Sequence, residues 1–184
     1  MAKRYEQLND ELIGFIAAQP LYFVGTAAND GTINVSPKGF DSLRVLSPTR
    51  VVWLNLTGSG NETAAHLQQN HRLTMMFCAF EGRPKILRLY GKAQVVHPRD
   101  SAWQELSSLF PAHKSARQCV DFSIELVQTS CGFGVGLFDY QGERDNMHLW
   151  LASSDETGLR DYWREKNQVS LDGLPTHILE DEAN

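Results

Sequence analysis

The chain has 184 residues, 42% of them apolar, which suits one ordinary domain around a single substantial core. Lysine and arginine number 17 against 22 aspartates and glutamates, and a net charge of −5 gives nothing to draw the whole protein towards nucleic acid or anionic lipid. No apolar run reaches membrane-spanning length, and the amino-terminal segment lacks the apolar stretch and small-residue cleavage site of a secretory signal. A soluble, cytoplasmic protein with no membrane partner is therefore expected.

Leu8, Leu12, Ile13 and Ile16 recur at helical spacing ahead of Pro20, which predicts an amphipathic helix over residues 5–18. The runs "LYFVGTAA" and "TINVS" flank Asn29, Asp30 and Gly31, a tripeptide suited to positive φ, and read as a β-hairpin. "RVVWLNL" is a third strand. "RLTMMFCAF" and "KILRLYGKAQVV" lie either side of "EGRP" as a second hairpin, and "CVDFSIELV" alternates Val120, Phe122, Ile124 and Leu126 with polar neighbours. Helices are expected at 62–69, at 98–109 and at 157–166. Short strands at hairpin spacing with a few helices outside predict a mainly β protein, a closed or nearly closed antiparallel barrel over residues 20–130. It is preceded by the helix within residues 1–19 and followed by a hairpin and helix at 131–176 and a disordered acidic tail at 177–184. Cys78, Cys119 and Cys131 are odd in number and form no C-x-x-C pair, so they are read as reduced thiols, mostly buried.

The corner "LTGSGNETAAHL" raises the question of function. Gly58-Ser59-Gly60-Asn61-Glu62-Thr63 almost satisfies G-x-G-x-x-G, but Thr63 stands at the third glycine and no βαβ unit surrounds it; no Gly-Lys-Ser/Thr ends it as in a P-loop. Ser59 and Glu62 have the spacing of a capping box, so a helix start is expected, with free N–H groups and the hydroxyls of Thr57, Ser59 and Thr63 around it. Such a place either holds an anion or is a tight turn that Ser59 caps. In "NVSPKGFD", Ile33 and Val35 face one way and Asn34, Ser36 and Lys38 the other, with Gly39 allowing close approach. Lys38 is either part of a polar site or a solvated strand end. Arg88, flanked by Leu87 and Leu89, either joins Ser36, Lys38 and the corner around one dianionic group or cross-pairs with an acid.

From Leu21 to Val96 these segments, in this order, resemble the pyridoxamine 5'-phosphate oxidase-like family of FMN-binding split β-barrels. The resemblance implies an antiparallel split β-barrel with a few short helices and a homodimer that holds FMN in a groove between two barrels. Ser36, Lys38 and Gly39 inherit a flavin-contacting role. Asn55, Thr57, Gly58, Ser59, Asn61 and Thr63 fall where the family binds the ribityl phosphate, and Arg88 near the isoalloxazine edge. True pyridoxamine phosphate oxidases carry an Arg-Lys pair at the helix start, where this chain has Glu62 and Thr63, so a phosphate here relies on neutral donors and Lys38. They also end in an arginine-rich segment that this chain lacks, so vitamin B6 phosphate oxidation is not expected. In "SCGFGVGLFDYQGERDNMHLW", the glycines, Phe133, Arg144 and Trp150 either cover the flavin or shape a substrate pocket, or belong to a core strand with a hairpin.

No other chemistry competes. His66 and His71 are five apart without an H-E-x-x-H motif, which argues against a metal site; no G-x-S-x-G elbow occurs; and Asp41, Glu81 and Asp139 sit near turns where acids bond local backbone. No catalytic side chain is assigned, because in a flavoprotein the reactive atom belongs to the cofactor. The expectation is an FMN-dependent oxidoreductase moving hydride or electrons between a donor such as NAD(P)H and a small molecule. The alternative is a non-catalytic dimer of the same fold that binds flavin or haem for storage or sensing.

Overall fold

The computed structural model describes residues 2–153 and 155–180. Strands β1 (Lys3–Tyr5), β2 (Tyr22–Ala27), β3 (Ile33–Lys38), β4 (Leu43–Ser47), β5 (Arg50–Leu56), β6 (Arg72–Cys78), β7 (Ile86–Val96) and β8 (Ala116–Ser130) form one antiparallel sheet. Its order is β3-β2-β6-β7-β8-β5-β4, with β1 added on β8. Both predicted hairpins are present: Gly31 turns β2 into β3 at φ 94°, and Gly82 lies between β6 and β7 at φ 64°. The two edge strands, β3 and β4, follow one another in sequence, so residues 39–42 tie the sheet's edges together and the sheet curls into the nearly closed antiparallel barrel that the strand pattern predicted, of the split kind that the resemblance implied. That tie is made by two non-glycine residues in the left-handed region, Phe40 (φ 59°) and Asp41 (φ 50°). Arg44 holds it, donating to both carboxylate oxygens of Asp41 at 2.7 and 2.8 Å.

The barrel interior is filled by alternate residues of the strands, including Val24, Trp53, Met75, Phe77, Leu89 and Phe122, all at most 1% exposed. Burying each such side chain stabilises the fold by about 1.5–3 kcal/mol. Helix α1 (Asp10–Ala17) closes this core with Leu12 and Ile16. It is shorter than the predicted helix over 5–18, because Asn9 caps it, accepting from Leu12 N–H at 2.9 Å, and Lys3–Tyr5 pair with Val127–Thr129 instead. On the outer side of β5, Val52 and Leu54 pack with Leu106 and Phe110 around helix α3 (Trp103–Ser107). The helix expected at 98–109 contracts to this single piece, since Asp100 turns back to accept from His97 N–H at 2.7 Å.

Helix α2 (Glu62–Gln69) matches its expected span and packs on β2. Strand β4 was not anticipated; its LRVLS sequence is too short to show a clear alternation. Beyond β8, residues 131–145 hold turns and no strand, with Gly132 and Gly142 at positive φ, so the hairpin expected after residue 131 is replaced by irregular chain. Helices α4 (Asn146–Ala152) and α5 (Glu156–Lys166) follow, and Leu159, Trp163 and Ile178 make a third cluster. Residues 177–180 of the expected tail are therefore packed rather than loose; residues 181–184 lie outside the described residues. Cys78 and Cys119 are buried and Cys131 is exposed, all three free. No helix among the described residues is long and apolar enough to cross a membrane.

Candidate functional site

The polar face of β3 looks inward across the split in the barrel. Ile33 and Val35 are 77% and 65% exposed, whereas Asn34, Ser36 and Lys38 line a cavity of about 300 Å³. Pro37 sits between Ser36 and Lys38 on an edge strand, the place in a sheet where proline is tolerated. From β5 come Trp53 and Asn55. The corner after β5 adds Gly58, Ser59, Asn61 and Thr63, and β8 adds Arg117. Seven of the ten residues singled out from the sequence are thus brought to one place.

The corner differs from its sequence reading in one respect. The N-cap of α2 is Asn61, not Ser59, and its side chain makes no capping bond. Asn61 instead accepts from Asn55 Nδ2 at 3.5 Å, and Asn55 Nδ2 also donates to Gln118 at 3.1 Å. The positive end of an eight-residue helix therefore meets the cavity without a side-chain cap. Neither Gly58 nor Gly60 has a positive φ. A Cβ at Gly58 would meet nothing within 4 Å, so the glycine keeps space open rather than permitting a strained turn.

Two cations share this cavity. Arg117 is 3% exposed, and its guanidinium donates to Asn167 Oδ1 and to Gly60 C=O, both at 2.8 Å. Lys38 Nζ lies 4.8 Å from the centre of the Trp53 ring. Burial, with the positive charge of Arg117 added, lowers Lys38 to about 8; burial lowers Arg117 to about 10. Neither forms an ion pair with a carboxylate among the described residues. Glu62 does line the cavity, but its Oε2 accepts Leu171 N–H at 3.0 Å. Ser36 Oγ, Trp53 Nε1, Asn61 Nδ2 and Arg117 Nε are buried without a partner among the described residues, an unusual concentration of idle polar atoms around one space. Uncapped helix end, unpaired cations and idle donors all favour the same occupant, an anion with several acceptor oxygens.

Three residues read as site candidates stand elsewhere. Thr57 is 2% exposed and faces away from the cavity, donating to Ser115 C=O at 2.8 Å and accepting Trp163 Nε1–H at 2.9 Å. Gly39 borders a second, larger groove of about 1390 Å³ that adjoins the first at Lys38. Arg88 donates to Ser130 Oγ at 3.2 Å on neighbouring β8, neither reaching the corner nor cross-pairing with an acid. The larger groove is walled by Tyr22, Phe40, Phe77, Phe80 and the segment Phe138–Arg144, which is anchored where Phe138 N–H donates to Phe80 C=O at 3.0 Å. Arg144 borders it, Phe133 is 81% exposed, and Trp150 packs on Tyr162 with ring centres 5.2 Å apart. No group of three or more metal-ligating side chains occurs among the described residues.

Arg117 escaped the sequence reading because the alternation of β8 is clear only from Cys119 onward. The ladder with β5 shifts register between Asn55 and Leu56, opposite Gln118 and Ala116, so simple parity does not place Arg117. A lone arginine just before an apolar strand was the available signal.

Comparison with known proteins agrees with this architecture. A Lactobacillus delbrueckii protein described as a candidate pyridoxamine 5'-phosphate oxidase superposes with a TM-score of 0.53 at 21% identity, over 67% of this chain and 94% of that one. HupZ of Group A Streptococcus gives 0.51 at 18%, over 65% and 91%. Closer in sequence is the pyridoxamine 5'-phosphate oxidase family protein ustO of Aspergillus flavus, 37% identical over 189 residues, spanning 93% of this chain and 76% of ustO. The family model for pyridoxamine 5'-phosphate oxidase matches residues 8–131, from the approach to α1 to the end of β8. With the barrel and most of the length accounted for, the chain belongs to the pyridoxamine 5'-phosphate oxidase family.

Proposed function

We propose that this protein binds FMN, with the flavin phosphate in the corner between β5 and α2, and works as an FMN-dependent oxidoreductase on a small molecule. The observation that carries the reading is the pair of cations, half-buried Lys38 and buried Arg117, gathered in one cavity where neither forms an ion pair with a carboxylate among the described residues. Holding like charges together out of water is unfavourable, and a phosphate dianion removes the cost. Arg117 supplies from β8 the charge that Glu62 and Thr63 do not supply at the helix start. A cavity of about 300 Å³ suits a phosphate and part of a ribityl chain and leaves the ring to the adjoining aromatic groove.

The bound flavin would supply the hydride and electron chemistry; the chain's own groups bind, orient and shield it. Ser36 Oγ, Asn61 Nδ2 and the first-turn N–H groups of α2 are donors for phosphate oxygens. The exposed apolar pair Ile33 and Val35 on edge strand β3 supports a homodimer in which a second copy covers this edge, with the groove between the two barrels. The test is spectroscopic. Purified protein should carry, or take up, a yellow chromophore whose released mass is that of FMN and whose absorbance bleaches with NAD(P)H. Colourless protein that refuses added FMN would end the proposal. A flavin that is reduced once but never turns over with a broad panel of acceptors would assign the protein to storage or sensing.

A further inference from the structure

The carboxy-terminal segment lies outside the residues that match the family model, yet it grips the anion corner at several points. Trp163 Nε1–H donates to Thr57 Oγ1 at 2.9 Å, Asn167 Nδ2–H donates to Gly58 C=O at 2.9 Å, and Arg117 donates to Asn167 Oδ1 at 2.8 Å. Asn167 is fully buried and is fixed in turn by Thr176, whose hydroxyl donates to its backbone carbonyl at 2.6 Å. We propose that Asn167 is the positioning residue of the anion corner, a neutral clamp that aims the Gly58–Ser59 peptide and Arg117 while leaving the arginine's charge unspent, and so makes the site selective for a phosphate-terminated ligand.

Peptide geometry and charge both assign this role to Asn167. In a trans peptide the N–H points opposite to the preceding C=O, and no cis peptide occurs among the described residues. By drawing the Gly58 carbonyl towards itself, behind the cavity lining, Asn167 turns the Ser59 N–H the other way. A buried arginine usually meets a carboxylate, and the pair is then electrically closed. Here both acceptors of Arg117, the Asn167 amide and the Gly60 carbonyl, are neutral, and Nε has no partner among the described residues. An aspartate at 167 would satisfy the same geometry towards Arg117 but cancel its charge and repel the Gly58 carbonyl. Asparagine is the residue that orients the guanidinium without neutralising it.

This inference rests on the corner being a phosphate site, and the ratio of FMN to riboflavin affinity tests the two separately, because the ligands differ only in the phosphate. Both are titrated against the full-length wild type and N167D by fluorescence quenching. Wild type should favour FMN strongly. N167D should lose more than tenfold in FMN affinity with riboflavin binding changed less than twofold. N167A, which removes both bonds without adding charge, should lower the ratio by a smaller factor, about threefold, and serves if the aspartate variant does not fold. Equal losses for both ligands, or an unchanged ratio in the variants, would overturn the role of Asn167. Wild type binding FMN and riboflavin alike would overturn the phosphate reading and the clamp with it.

Discussion

Raising the pH from 7 to 9 should weaken FMN binding about tenfold through one side chain. Burial, reinforced by the charge of Arg117, holds Lys38 at about 8 in the ligand-free protein, against an ordinary value of 10.5. That difference corresponds to about 3 kcal/mol of unfavourable environment for the charged form. An anion beside Lys38 reverses the preference, so the bound state keeps the proton throughout this window. In the free protein, by contrast, the lysine falls from about nine-tenths protonated at pH 7 to about one-tenth at pH 9. The phosphate group, with its second pKa near 6, stays a dianion across the range. Arg117, lowered only to about 10, remains mostly charged. Dissociation constants measured by fluorescence quenching at half-unit steps should be flat below pH 8 and then rise towards tenfold per unit. Calorimetry in two buffers of different ionisation enthalpy should show about one proton taken up at pH 9. Lys38→Met keeps the stem against Trp53 and should remove this dependence, while weakening binding at pH 7 by about 1.5–3 kcal/mol. Wild-type affinity that does not change between pH 7 and 9 would refute the placement of Lys38 against the phosphate. The linkage has the opposite sign for the ligand-free fold. Between pH 8 and 10.5 the unfolded chain retains a proton that the native state has released, so the stability contribution from Lys38 rises with pH.

Other perturbations separate architecture from binding. Gly91→Ala should destabilise the barrel severely, by at least about 3 kcal/mol in denaturant titration, because its Cβ would lie 2.0 Å from the Ser123 carbonyl oxygen, a backbone atom of the paired strand. Thr57→Val leaves the Trp163 indole N–H without its partner and removes one of two donors to the Ser115 carbonyl, which keeps the backbone N–H of residue 57 at 2.7 Å. It should cost about 1–3 kcal/mol in melting experiments and reduce FMN affinity much less than Lys38→Met does. Buried His97, with neither ring nitrogen bonded, is pushed down to about 4 chiefly by burial, and further by Arg99 and His177 against the opposing pull of Asp100 and Glu180. Its contribution to stability is present above pH 6.5 and lost as pH falls through 4. His97→Leu should therefore flatten the acid limb of the melting temperature between pH 6.5 and 4.

The strands and the polar side of β3 were legible because local patterns dictate them. Alternation, a positive-φ glycine at Gly31 and the parity of Asn34, Ser36 and Lys38 are all properties of a few consecutive residues. The start of α2 was legible for the same reason, although the cap was placed two residues early, since Ser59 and Asn61 are both capping residues and only packing against Asn55 decides between them. What could not be read were arrangements requiring distant segments to meet. Thr57 looked like a cavity hydroxyl, but a tryptophan 106 residues later claims it. Tyr5 looked helical until β8 offered Lys3–Tyr5 a ladder. Arg88 is a mid-strand cation whose neighbour Ser130 is set by pairing register alone.

Arg117 shows why the charge of the proposed phosphate site was the hardest part to see. On sequence alone the corner looked poor in charge, with a glutamate where relatives with the full oxidase activity carry a cation, and Lys38 appeared to bear the load alone. In the fold, the cation arrives from the strand beside β5, at the one place where the β5–β8 ladder slips, and is steadied from a segment beyond the barrel. Charge at a binding site is fixed by which groups converge in space, whereas sequence motifs record which groups are contiguous. On the proposed reading, this barrel takes its phosphate-binding charge from a neighbouring strand rather than from the helix start. The requirement is that something neutral holds the new cation in place and that no acid in the cavity pairs with it. In this chain Asn167 and the Gly60 carbonyl meet the first condition, and the lack of an ion pair to Arg117 among the described residues meets the second.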